Sequence, residues 1–112
     1  MIQQNENFTI DCSSPDVAVL AGVLRLSSPA AYEEWLAPLR EALTHADAAY
    51  TIDISKVQFL NSSGITGLSR LVLLARTLGK PLVFIGSTKT AWHGKTLRLI
   101  ARLYKGLEVR LQ

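Results

Sequence analysis

The sequence has a single cysteine, Cys12, so no disulfide can close within one chain. It reads as a small apolar filler near a strand end. Long apolar runs are also missing. The longest, Val17–Leu24 and Leu71–Ala75, fall far short of the roughly 20 residues that a membrane-spanning helix requires. The polar opening, Met1–Asn7, is unlike a signal peptide, so a cytoplasmic protein is expected. Charge is sparse: Asp, Glu, Lys and Arg make up 19% of the residues, and a net charge of +3 is too small to demand nucleic acid as a partner. No Gly-Lys-Ser or Gly-Lys-Thr follows Gly64 and Gly67, which excludes a phosphate-binding loop of that type. No nucleophile-elbow sequence is found. Glu41 and His45 stand four apart on a predicted helix without a third metal ligand, and His93 has no ligand neighbour in sequence. Both histidines read as surface or loop residues. No metal, cofactor or catalytic residue is expected.

What is present is an apolar content of 48% in 112 residues, enough for one domain, 1–112, around one core. Phe8 and Ile10 alternate with polar residues as in a short strand. Ser13-Ser14-Pro15-Asp16 is turn chemistry, and Val17–Leu26 reads as a second strand, completing a hairpin. Ser28 and Pro29 start a helix as cap and first helical residue, and Tyr32, Leu36, Leu39 and Leu43 recur on its inner face. Pro38 lies inside this helix and is expected to kink it. Tyr50–Ile54 and Leu82–Ile85 are strands, the second so apolar that burial on both faces is expected. A helix over Ser62–Leu78, closed by Gly79, joins them into a βαβ unit. A helix over Lys95–Tyr104 and a short edge strand, Leu107–Leu111, complete an α/β domain with a small mixed sheet and packed helices.

The densest signal is the stretch from Asp53 to Gly64, DISKVQFLNSSG. A strand is expected to end at Ser55, followed by a turn anchored by Val57 and Phe59. Asn61 is a good N-cap for the helix that Ser62-Ser63-Gly64 opens. Free N–H groups at such an end favour an added phosphate. At about 100° per residue, Gly64, Gly67, Leu68, Leu71, Leu74, Ala75 and Leu78 share the core face. Ser62, Thr66, Ser69, Leu73 and Arg76 lie opposite, and Ser63 points sideways. Ser62 is therefore the hydroxyl best placed for a kinase, with Ser63 second, and Leu73 is expected to be an exposed leucine in line with it.

This stretch resembles the STAS family (sulfate transporter and anti-sigma factor antagonist), whose signature runs D-L-S-x-V-x-F-x-D-S-S-G. Leu20-Ala21-Gly22-Val23-Leu24-Arg25 resembles its L-x-G-x-L-D strand, and Gly79–Phe84 its fourth strand with the preceding turn. The resemblance covers about residues 8 to 86. It implies an anti-sigma factor antagonist: a cytoplasmic, bacterial regulator of transcription that is not an enzyme. Its unphosphorylated form sequesters an anti-sigma factor that is also a serine kinase. Ser62 is the implied phosphoacceptor, and a cognate phosphatase is a further candidate partner. Asn61, Ser62, Ser63, Gly64, Thr66, Ser69, Leu73, Arg76 and Arg25 form the expected partner surface. Two positions depart from the signature: its Asp is Asn61 here, and the Asp closing the second strand is Arg25. Arg25 is expected near the start of the Ser62 helix, where it can stabilise a phosphate.

Two other functions fit less of the pattern. One is a STAS subunit that binds a protein without phosphorylation, for instance in a lipid-transport complex. The other is a nucleotide-binding domain. The last helix carries Lys95, Arg98, Arg102 and Lys105 on one side, either a solvated face or a surface for an acidic partner or anionic membrane.

Overall fold

Ser28 opens the first helix as expected: its Oγ accepts from the Ala31 N–H at 3.2 Å, and Pro29 occupies the first turn. In the computed structural model, which describes all 112 residues, nine elements follow in order. They are β1 (Ile2–Gln4), β2 (Phe8–Asp11), β3 (Val17–Leu24), α1 (Pro29–His45), β4 (Tyr50–Leu60), α2 (Ser62–Leu78), β5 (Leu82–Gly86), α3 (Ala91–Ala101) and β6 (Leu107–Leu111). One sheet contains all six strands in sequence order. β1, β2 and β3 pair antiparallel; β3 to β6 pair parallel.

Three parallel connections stepping the same way, each right-handed, place all three helices on one face of the sheet. That face carries the core: Phe8, Ile10, Ala18, Leu20, Leu24, Tyr50, Ile52, Ile54, Leu82 and Phe84 are buried beneath Tyr32, Leu36, Leu39 and Leu43 of α1 and Leu68, Leu71, Val72 and Ala75 of α2. The alternate residues, Val17, Val19, Ala21, Val23, Thr51, Asp53 and Ile85, lie on the other face and are only half-buried. β5 is therefore not covered on both sides. Its run of apolar residues reflects burial of Leu82, Phe84 and Gly86 under helices and of Val83 among its strand neighbours.

Several boundaries differ from expectation, each for a local reason. β1 pairs with β2 although the opening residues are polar, because an edge strand needs only backbone partners. β3 stops at Leu24. α1 is assigned as one helix from Pro29 to His45 with Pro38 inside it, where one backbone hydrogen bond is forgone. β4 continues to Leu60 instead of turning at Ser55. Two register shifts against β3 let it do so, and Gly22, at φ 100°, sits between them. A Cβ there would lie 2.3 Å from the Asn7 carbonyl oxygen. The last helix starts four residues early, so Trp92, His93 and Gly94 are helical, and it ends at Ala101.

Candidate functional site

β3 and β4 end side by side, with Leu24 opposite Leu60. The chain then leaves the sheet as two neighbouring segments: the loop from Arg25 to Ser28, and Asn61 leading into α2. Asn61 ties them together. Its Oδ1 accepts from the Gly64 N–H at 3.0 Å, capping α2, and from the Tyr32 hydroxyl at 2.7 Å. Its Nδ2 donates to the Leu26 carbonyl at 2.9 Å, and its own N–H donates to the Leu24 carbonyl at 3.2 Å. The Leu26 N–H in turn donates to the Tyr32 oxygen at 3.3 Å. Each of these contacts pairs a donor with an acceptor, which is what a partly buried polar network requires. Burial pushes the Tyr32 hydroxyl pKa upward, so it stays a donor. The substitution of Asn for the signature Asp now has a structural reason: a carboxylate would place an oxygen against the Leu26 carbonyl.

Gly64 is closely packed by side chains. A Cβ there would meet Leu60 Cδ1 at 2.3 Å and the Tyr32 hydroxyl at 2.9 Å. With the cap and the tight glycine below it, the first turn of α2 is held rigidly, and it presents Ser62 to solvent. Ser63 is half-buried. Thr66 donates its hydroxyl to the Ser62 carbonyl at 3.2 Å, and Ser69 donates to the Ile65 carbonyl at 2.8 Å. Those two hydroxyls are engaged by their own helix.

The predicted stripe is partly reproduced. Ser62, Thr66 and Arg76 are exposed, while Ser69 and Leu73 are half-buried. Leu73 is not the exposed leucine expected. The buried face is rotated toward Val72, which is fully buried, and away from Leu74, half-buried, and Leu78, 42% exposed. Arg76 turns its guanidinium to the Leu103 carbonyl at 3.1 Å. Arg25 reaches outward over the Phe59 ring, 5.1 Å from its centroid, a cation–π contact. Phe59 is no core anchor. It lies beyond the second register shift, where it is 42% exposed. With Leu60, Ile65, Trp92 and Thr96 it lines a shallow apolar notch beside the start of α2.

No protein-family profile matches this sequence, and no curated protein matches it significantly. Solved structures do match. The activator SiaC, from the crystal structure of diguanylate cyclase SiaD in complex with its activator SiaC from Pseudomonas aeruginosa, superposes with a TM-score of 0.73. That match is 9% identical and covers 100% of this chain and 99% of the other. An antisigma-factor antagonist STAS domain from Rhodobacter sphaeroides superposes with a TM-score of 0.56 at 20% identity, covering 74% of this chain and 90% of that one. The chain has a STAS-like fold. At such identities the likeness is one of fold.

Two residues of this site were not foreseen. Tyr32 looked like one more inner-face residue of α1, and only the tertiary contact with Asn61 shows its polar role. His93 was expected on the surface, yet it is fully buried. Its Nδ1 accepts from the Ser87 N–H at 2.9 Å, so its Nε2 carries the proton and donates to the Val57 carbonyl at 2.7 Å. The Trp92 indole N–H donates to the Gln58 carbonyl at 3.0 Å. Together they fasten α3 to the irregular end of β4 and hold the notch next to Ser62. The signal for this was weak: a Trp-His pair ahead of a helix with no apolar partner in sequence.

Proposed function

We propose that this protein is a partner-binding regulator of the STAS type, switched by phosphorylation of Ser62. One observation carries the proposal: Ser62 is exposed at the first turn of a 17-residue helix whose cap is locked into the core through Asn61, Tyr32 and Leu26. Phosphorylation would add roughly −1.5 to −2 charge there. The N–H groups of Ser62 and Ser63, which precede the capped Gly64 N–H, favour that charge. In the unphosphorylated form, Ser62, Ser63, Thr66, Ser69, Leu73 and Arg76, with Arg25, Phe59 and the notch, form the partner surface. Its apolar members supply buried area, and a new dianion among them would oppose binding by desolvation.

The resemblance suggests an anti-sigma factor that is also a serine kinase as the partner, opposed by a phosphatase. The fold likeness to SiaC supports a second choice. SiaC is an activator found in complex with a cyclase, which makes an enzyme that this chain turns on the alternative partner. Both readings make the chain a binding protein rather than a catalyst. The test is to incubate the protein and Ser62→Ala with ATP and extract of its native cell, then map the phosphate. Label on Ser62 alone is expected. Label on Ser63 or Thr66 in Ser62→Ala, at the wild-type extent, would refute the assignment.

A further inference from the structure

The charges are divided along the chain. Residues 55–112 hold ten of the twelve Lys and Arg but one of the nine Asp and Glu. Because the strands lie in the sheet in sequence order, this division is also spatial: the β1 side is acidic and the β6 side basic. Two salt bridges, Arg70–Glu33 and Arg110–Glu108, engage two of those ten cations. Lys80 is spent on the Leu43 and Thr44 carbonyls at the end of α1. Lys95, Arg98, Arg102 and Lys105 have no carboxylate partner and are exposed. They form a row along α3 and the turn after it. At the end of that row Arg102 and Lys105 meet Arg76, the last residue of the α2 stripe, around a groove floored by Leu103 and Tyr104. The groove is built: Arg76 is held by the Leu103 carbonyl, and the Tyr104 hydroxyl donates to the Lys80 carbonyl at 2.8 Å.

We infer that this basic row is a docking surface for an acidic, extended segment of the protein partner. The inference deepens the partner-binding reading by naming the chemistry of that partner. From Lys95 to Ala101 the helical path spans about 9 Å, the length of roughly three residues of extended chain, and Arg102 and Lys105 continue the row through the turn that follows. Cations at steps of three and four can meet carboxylates along such a segment, while Leu103 and Tyr104 accept an apolar side chain. A membrane fits less well, because the apolar residues of α3, Leu97 and Ile100, are buried and Leu99 alone is offered to a bilayer. A second copy also fits less well. The acids of the other half are scattered over turns (Glu6, Asp16, Asp47), the uncovered sheet face (Asp11, Asp53) and α1 (Glu34, Glu41), with no matching row.

The probe is a fluorescein-labelled hexaglutamate peptide, with hexaglutamine as its neutral control, followed by anisotropy at low and moderate salt. Wild type is expected to bind hexaglutamate at least tenfold more tightly than hexaglutamine and to lose at least tenfold with added salt. Lys95→Glu/Arg102→Glu should weaken binding at least tenfold, and Lys95→Gln/Arg102→Gln should follow in part. Arg40→Glu/Lys56→Glu changes the net charge equally and should weaken it less than threefold. Equal losses in the two charge-reversed variants would overturn the inference, as would no binding by wild type. Tighter binding to vesicles of phosphatidylcholine and phosphatidylglycerol, or salt-reversible dimerisation in light scattering, would replace this occupant with another and also overturn it. The peptide assay needs neither kinase nor phosphate. Its failure leaves the Ser62 reading standing, and Ser62→Ala should bind the peptide like wild type.

Discussion

Asn61→Asp restores the residue of the STAS signature, yet here it should harm the protein. The variant keeps an oxygen for the Gly64 N–H and the Tyr32 hydroxyl but loses the Nδ2 donor to the Leu26 carbonyl. It also sets one oxygen against another. Leaving a buried acceptor unpaired costs about 1–3 kcal/mol. A carboxylate at the start of α2 recovers about 0.3–1 kcal/mol from the helix dipole. The net loss at pH 7 is therefore about 1–2 kcal/mol, or roughly 4–8 °C in Tm for a domain of this size. Urea unfolding should show a midpoint lowered by about 1 M at unchanged slope. The deficit should also depend on pH. A protonated carboxyl can donate to Leu26 as the amide does, so its folded-state pKa should lie above the ordinary value of about 3.9. Stability gained by protonation is fully present below that ordinary value and is lost as pH rises through the raised one. Asn61→Asp should thus approach wild type near pH 4 and fall furthest behind near pH 7. Equal stability at pH 7, or a deficit that grows on acidification, would refute the role given to the Leu26 contact.

Gly64→Ala gains up to about 1 kcal/mol of helix propensity, but the clash with Leu60 and Tyr32 should cost about 1–3 kcal/mol, so a net loss in urea unfolding is expected and a gain would show that the junction is loose. Tyr50 buries a hydroxyl that no other protein group hydrogen-bonds, so Tyr50→Phe should be neutral or stabilising by up to about 1 kcal/mol. Burial, helped by nearby Cys12 and Asp16, pushes the Tyr50 pKa well up; wild type should lose stability as pH rises above the ordinary tyrosine value of about 10, and Tyr50→Phe should lose less. Leu73→Glu, at a half-buried position, should cost about 1 kcal/mol in stability while weakening partner binding at least tenfold, and global unfolding would assign Leu73 to the core instead.

Much of the fold was legible because its punctuation is local. Ser28-Pro29 and Asn61–Gly64 start helices by chemistry contained within a few residues, and Gly79 ends α2 at φ 68°. The helical phase of α2 followed from spacing, to within the rotation that buries Val72 and frees Leu78. The irregular end of β4 was not legible. Val57 and Phe59 alternate as if they shared a face, and only the pairing with β3 shows the register shift beyond which Phe59 lies exposed. The same limit applies to the site. Asn61 as a cap and Ser62 as an exposed hydroxyl are local statements. Tyr32 and His93 act across 29 and 36 residues of sequence, through contacts that exist only once the sheet has formed.

The central claim is that a phosphate on Ser62 switches a protein–protein contact. It is tested most directly by isolating the partner that co-purifies with the unphosphorylated protein and measuring its Kd for that form and for protein carrying phosphoserine at position 62. A loss of at least tenfold, about 1.4 kcal/mol, is predicted for the phosphorylated form. Equal affinities would contradict the switch and leave a STAS-like protein that holds its partner constitutively.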